Sequence, residues 1–265
     1  MDDMQKTGIV IPCFNEERRI NKERFLEYIN SHQDVSFIFV NDGSTDNTLS
    51  VLQNFQIKDP QRIHVLDLDQ NFGKAEAVRQ GILYAIKLKF QNIGYWDADL
   101  ATPLGIIDHF LSALEAKAVF VVMGARVMLL GRDIKRKRTR HYLGRIFATV
   151  VSMVILKLPV YDTQCGAKIF RNNDVLKQVF SQPFRVNWIF DVEIIARYQM
   201  IFKNEGTLDL TDLIIEYPLD TWKDVGESKL KYVDYFIALF DVVKLYLLLN
   251  MSVVSKAYYK TLTKQ

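Results

Sequence analysis

The strongest constraint on this chain is an alternation in its first half. Short, almost continuous apolar runs take turns with segments of helical spacing. "GIVIP" (Gly8 to Pro12), "VSFIFVND", "RIHVLDL", "NIGYWD" and "AVFVVMGAR" have the length and β-branched or aromatic content of buried strands. Between them lie "NKERFLEYINSH", with Phe25, Tyr28 and Ile29 at helical spacing, and "STDNTLSVLQNF", with Ser44 or Thr45 as the expected cap. "GKAEAVRQGILYAIKLKF" opens a helix at Gly73, and "TPLGIIDHFLSALEA" is expected to carry Pro103 in its first turn. Strands that are apolar throughout need cover on both faces, which predicts a mostly parallel α/β sheet. Ligands of such sheets bind beyond the carboxyl ends of the strands, so "NDGS" and "DADLATP" fall on the binding edge.

The second half is less regular. A basic helix is expected from about Lys137 to Leu156, then the polar stretch "YDTQCGAKIFR", the helix "WIFDVEIIARYQMIF", the strand "TDLIIEYPL", the loop "DTWKDVGESK" and a long final helix from about Lys231. No internal repeat or low-complexity linker divides the chain. One continuous domain is expected over 1–232, with a nucleotide-binding half over 7–125 and an acceptor half over 126–232. An amphipathic helical segment follows over 233–265.

Composition removes several classes of function. The chain has 265 residues, 49% of them hydrophobic and 25% charged, with a net charge of +3. These values argue against disorder. A basic block from Arg132 to Arg145 stands on this nearly neutral chain, but it lacks aromatic interleaving, so no nucleic-acid partner is expected. Cys13 and Cys165 form no CxxC pair, and a reduced cytoplasmic setting is the default. The N-terminus is acidic and lacks a long apolar core, so no signal peptide is expected. "IFATVVSMVILKLPV" is broken by Lys157, and "YFIALFDVVKLYLLL" by Asp241 and Lys244. Both suit the surface of a membrane better than its interior.

The chemistry concentrates at the binding edge. Asp97 and Asp99 stand one residue apart at the end of a strand. Like charges held so close need a Lys, an Arg or a metal ion with them. Without His or Cys nearby, a metal would be held by oxygen alone, which suits Mg²⁺ or Mn²⁺ with substrate phosphates completing the shell. A solvated loop with a helix cap is the other reading of the same pair. Asp42 in "FVNDGSTDNT" suits either the N–H groups of a nucleobase or a turn, and Asn15 and Glu16 in "PCFNEE" admit the same two readings. In "YDTQCGAKIF", Gly166 allows close backbone approach, and Cys165 has no His neighbour and is expected to be a packed thiol. Arg140 and Arg145 precede the apolar "IFATVVSMVIL", a pairing of cations and greasy surface that suits a phosphate head group with a hydrocarbon tail.

"IVIPCFNEE", "FVNDGSTDNT", "NFGKAEAVRQGILYA", "DADLATP", "GAR", "DTQCGAKIF" and "WKDVGESKL", taken in order, resemble the family 2 glycosyltransferases of GT-A fold. The likeness is greatest to the dolichyl- or polyprenyl-phosphate sugar synthases, and "DTQCGAKIF" and "GESK" point to the glucosyl type. It covers about residues 7 to 232. The resemblance implies a Rossmann-like nucleotide-binding half and transfer of a hexose, from UDP-glucose first of all, to a polyprenyl or dolichyl phosphate with inversion. It implies that Asp42 meets the base, that Pro12, Asn15 and Glu16 line the nucleoside pocket, and that Lys74 serves the donor. Asp97 and Asp99 would hold the divalent ion, and Arg126, Arg140 and Lys223 the phosphates. Where many members carry membrane spans, the basic and apolar helices expected from Lys135 to Leu158 and from Lys231 to Tyr259 suggest instead a peripheral enzyme on the cytoplasmic face of a membrane, and a homo-oligomer is compatible with the reading. A transferase acting on a glycan hydroxyl, with Asp162 or Asp191 as base, and a GDP-mannose-dependent mannosyl type are the alternatives. The chain departs from the family pattern in lacking membrane spans and in carrying Ala101 where a Gln is often found.

Overall fold

The computed structural model describes residues 6–117, 119–135, 147, 149–205, 210–223 and 232–263. The strands are β1 (Thr7–Cys13), β2 (Val35–Asp42), β3 (Ile63–Leu68), β4 (Asn92–Trp96), β5 (Val121–Ala125), β6 (Asp133–Lys135), β7 (Ala167–Arg171), β8 (Ile214–Pro218) and β9 (Thr221–Lys223). Among the described residues the main sheet runs β3-β2-β1-β4-β7-β5-β8, and β6 pairs with β9 in a small second sheet. The pairs β1/β2, β1/β4, β2/β3 and β5/β8 are parallel. β7 runs antiparallel to both of its neighbours. This is the mixed, mostly parallel GT-A sheet expected from the sequence. The strand order turns back at β1, which has β2 on one side and β4 on the other, and the crevice at such a switch is where ligands bind.

The helices are α1 (Lys22–Ser31), α2 (Thr48–Lys58), α3 (Lys74–Lys87), α4 (Ile106–Lys117), α5 (Asp174–Ser181), α6 (Phe190–Glu205), α7 (Tyr232–Asn250) and α8 (Ser252–Thr263), with a π-helix over Val151–Leu156. Alternate strand residues feed two cores. Val10, Ile38, Val40, Ile93, Tyr95, Met123 and Phe170 are buried on one face with apolar residues of α3, α5 and α6. Ile9, Ile11, Phe37, Phe39, Trp96, Val122 and Ile169 are buried on the other, with residues of α1, α2 and α4. Each fully buried side chain of this size contributes roughly 1.5–3 kcal/mol, and both faces must be covered for the strands to be apolar throughout. Gly81 lets α3 lie close on the sheet: a Cβ there would meet Val10 Cγ1 at 2.3 Å.

Local chemistry shifts several expected boundaries. Ser44 and Thr45 do not cap α2, which starts at Thr48 with Asn47 at the cap position. Both are committed elsewhere: the Asn15 amide donates to Ser44 Oγ (3.0 Å), and the Thr45 amide donates to Asn15 Oδ1 (2.9 Å). Asp46 Oδ1 accepts from the Thr48 amide instead (3.0 Å). Pro103 lies ahead of α4, its carbonyl accepting from the Ile106 amide. "AKIFR", part of the polar stretch in the sequence, is a buried central strand. Of the expected basic helix, residues 136–146 and 148, with Arg140, lie outside the described residues, and the described end is the π-helix.

The expected long final helix is two. Ile237–Asn250 and Ser255–Thr263 meet at 87°. Both halves are anchored to the body by polar bonds. Asp241 on α7 accepts from the Trp188 amide (3.2 Å), Lys244 donates to the Arg185 carbonyl (2.5 Å), and Tyr258 on α8 donates to Glu193 on α6 (2.5 Å). The outward side of α7 is apolar as well: Leu239 is 63% and Phe240 74% exposed, and Met153 of the adjoining π-helix is 71% exposed.

Candidate active site

The carboxyl ends of β1, β2 and β4 converge on one crevice. Pro12 lies opposite Val40, one residue before the β1 ladder ends at Cys13, and Asn15 follows in the left-handed region (φ 52°). That strained backbone is held by the bonds to Ser44 and Thr45. Glu16 is buried, and its amide donates to Thr48 Oγ1 (2.8 Å). Asp42 is buried at the end of β2, where its oxygens accept from the amides of Phe72 (2.8 Å) and Gly73 (2.9 Å). Burial raises its pKa, and those two amides offset part of the rise. Asp42 thereby fixes the turn that launches α3, with Lys74 as its first residue.

The carboxylates at the end of β4 are supplied with cations by the chain itself. Lys74 Nζ lies 2.5 Å from Asp97 Oδ1, and Arg19 Nη2 lies 3.5 Å from Asp99 Oδ2. Arg19 also reaches Glu16 Oε1 at 3.4 Å, so it spans the β1 and β4 ends of the crevice. Nothing in "NEERRI" distinguishes Arg19 from its neighbour; only the fold selects it. Leu100 sits in the left-handed region (φ 53°), and the turn this creates brings the Ala101 amide to Asp99 Oδ1 (3.0 Å). Burial, then the charge of Asp97, raises the pKa of Asp99, while the Ala101 amide, Arg19 and Lys74 work against the rise. Burial would lower the pKa of Lys74, but Asp97, Asp191 and Asp99 more than offset it, and the net shift is upward.

Gly166 presses on Asp97. Its carbonyl accepts from the Asp97 amide (2.9 Å), and a Cβ on Gly166 would stand 1.9 Å from Asp97 Oδ2. Any side chain there must displace the carboxylate. Two residues on, Lys168 is fully buried and donates to Asp191 Oδ1 (2.5 Å), which also accepts from the Tyr95 hydroxyl. Arg126 closes the wall with a two-pronged pair to Asp162: Nε to Oδ2 at 2.6 Å and Nη2 to Oδ1 at 2.7 Å. The guanidinium also lies 5.3 Å from the centre of the Trp222 ring. Glu216 holds this segment by accepting from the amides of Tyr161 and Asp162. Lys223 comes to the site through its backbone, its amide donating to the Ala101 carbonyl (3.3 Å), while its ammonium faces Asp133 at 3.8 Å. Arg140 lies outside the described residues.

Asp97 and Asp99 offer an all-oxygen donor set from one turn. Among the described residues no cluster of three or more His, Cys, Asp or Glu is placed to hold a metal. A divalent cation held here would have these two carboxylates from the protein, a donor set that fits a cation completed by water and phosphate oxygens.

Both thiols are buried. Cys165 is free and buried, and burial pushes its pKa up to about 11. Burial raises that of Cys13 further, with the charge of Glu16 adding to it. We expect a thiol-disulfide reagent at pH 8 to find almost no reactive thiol in the folded protein and both in denaturant. Rapid labelling of one equivalent under native conditions is the result that contradicts this.

Comparisons with known proteins bear on the family and the fold. The family described as "Glycosyl transferase family 2" matches residues 8–193. The chain is 32% identical over 245 residues to the dolichyl-phosphate beta-glucosyltransferase of Saccharomyces cerevisiae, covering 84% of this chain and 68% of the relative. It is 33% identical over 244 residues to the prophage bactoprenol glucosyl transferase homolog of Escherichia coli, covering 83% and 76%. Among solved structures, glucosyl-3-phosphoglycerate synthase from Mycobacterium tuberculosis, in complex with Mn²⁺, UDP-glucose and phosphoglyceric acid, superposes with a TM-score of 0.62 at 17% identity, covering 92% and 79%. With the motifs, the sheet order and the family match in accord, the chain belongs to glycosyl transferase family 2.

Proposed function

We propose that this glycosyltransferase moves a hexose, UDP-glucose being the first-choice donor, to a polyprenyl or dolichyl phosphate with inversion at the anomeric carbon. The observation that carries the choice of acceptor concerns the two acids a hydroxyl acceptor would call on. Asp162 is engaged by the Arg126 guanidinium and Asp191 by Lys168 and Tyr95, so neither is presented as a proton acceptor. An acceptor phosphate is already ionised near neutral pH and attacks without a base. The names of the yeast and bacterial relatives point the same way.

In this reading Pro12, Asn15, Glu16 and Asp42 line the nucleoside side of the crevice. Asp97 and Asp99 hold Mg²⁺ or Mn²⁺, which supplies Lewis-acid stabilisation of the departing diphosphate when bound. Lys74 adds a positive charge on the donor side. Arg126, Lys223 and Arg140 serve the acceptor phosphate, with Asp162 keeping the Arg126 fork fixed. No helix among the described residues is long and apolar enough by itself to cross a membrane. The exposed apolar side of α7 and the π-helix supports a peripheral seat, which we place on the cytoplasmic membrane face.

The test is transfer of radiolabelled sugar from a panel of nucleotide sugars to polyprenyl phosphate, with Mg²⁺ or Mn²⁺ and with EDTA. Label in the organic phase that depends on the cation, strongest from UDP-glucose, is the expected result. Label confined to a soluble glycan overturns the acceptor, and a preference for GDP-mannose overturns the donor.

A further inference from the structure

One contact in the crevice bears on the order in which its ligands arrive. Lys74 Nζ sits 2.5 Å from Asp97 Oδ1, on one of the two carboxylates that would hold the divalent cation of the proposed reaction. A cation bound to that oxygen would stand within about 5 Å of the ammonium, where like charges repel. Lys74 is able to move: it opens α3, its side chain is 43% exposed, and its stem is long and flexible. Asp99 is similarly engaged, with Oδ1 on the Ala101 amide and Oδ2 facing Arg19. With no third acid, His or Cys gathered around the pair among the described residues, the protein alone offers a divalent ion a poor set of ligands. A nucleoside diphosphate changes both sides of this competition. It brings phosphate oxygens for the cation and a new anionic partner for the ammonium.

We propose that Lys74 is a positioning residue that stands in for the divalent cation on Asp97 in the nucleotide-free protein and moves to the donor diphosphate when the donor binds, so that cation and nucleotide bind as a coupled pair. This rests on the assignment of Asp97 and Asp99 as metal ligands. If the ion pair is formed in nine molecules out of ten, the apparent affinity for the cation is cut about tenfold, because only the remaining fraction is ready to bind. Linkage requires that the nucleotide and the cation strengthen one another by the same factor.

The test is binding of Mn²⁺, followed by the electron paramagnetic resonance signal of the free ion, to the full chain with and without UDP. Wild type is expected to bind Mn²⁺ weakly alone and much more tightly with UDP. Lys74→Met is expected to bind Mn²⁺ without UDP up to about tenfold more tightly than wild type, and the UDP effect shrinks by the same factor, leaving the part that the phosphate oxygens supply. Lys74→Arg, which keeps the charge, is expected to restore the wild-type pattern. Unchanged or weaker nucleotide-free binding in Lys74→Met overturns the inference and leaves the metal assignment standing. Mn²⁺ binding in the presence of UDP that is indifferent to Asp97→Asn and Asp99→Asn overturns the metal assignment, and the inference with it.

Discussion

Asp99→Asn is expected to slow sugar transfer at least about a hundredfold while leaving the fold as stable as before, or more so. The two effects have one cause. Asp99 is largely buried, and burial and the neighbouring charge of Asp97 raise its pKa. A carboxyl whose folded-state pKa is raised contributes stability below its unfolded value, and that contribution is lost as pH rises through the folded value. At neutral pH the ionised Asp99 is therefore a net cost to the fold. Asn keeps the shape and removes the charge. On the proposed metal assignment, the substitution would take away half of the protein's ligand charge for the divalent ion, and with it stabilisation of the departing diphosphate. The check is kcat with the preferred donor, beside a thermal melt of both proteins. Transfer within about threefold of wild type removes Asp99 from the metal site, and a large drop in Tm assigns the loss to folding instead.

The largest effect on stability is expected far from the chemistry, on α6. Glu193 and Arg197 are fully buried one turn apart, with Arg197 Nη2 2.8 Å from Glu193 Oε1. The guanidinium also donates to the carbonyls of Val179, Gln182 and Pro183, and lies 4.4 Å from the centre of the Phe184 ring. Glu193 accepts from the amides of Arg185 and Val186 and from the Tyr258 hydroxyl of α8. The pair thus ties three segments to α6. Glu193→Ala strands a buried guanidinium, which typically costs about 3–5 kcal/mol, a shift of about 10 °C in Tm for a chain of this size. Arg197→Met strands the carboxylate and is expected to cost a similar amount. The double variant, with no charge left uncompensated, should recover part of the loss. Urea unfolding of the three variants measures this, and a single-variant loss below about 1 kcal/mol contradicts it.

Much of this fold is legible along the chain, for a local reason. A strand covered on both faces must be apolar at every position, so "GIVIP" and "VSFIFV" announce their burial without knowledge of their neighbours. The same holds for the acids. A polar residue that ends such a run must emerge at the sheet edge, which is why Asp42, Asp97 and Asp99 stand out as candidates. β7 is obscured because its apolar run is interrupted by Lys168, a charge buried in the sheet and matched by Asp191 from α6. A buried ion pair takes its two halves from distant places, and neither half is distinguishable locally from a surface residue.

The same limit divides features set within a few residues from those set across the fold. The residue order determined the alternation of strand and helix, the mostly parallel sheet, the edge that carries the site and the pair of aspartates on it, because hydrophobic period and turn chemistry act over a few residues. The tertiary structure decided which charges meet. It placed Lys74 on Asp97 and Arg19 on Asp99, Arg126 on Asp162 and Lys168 on Asp191, and it bent the final helix in two. Those pairings depend on distances across the fold, since an electrostatic interaction is set by separation and burial rather than by position along the chain.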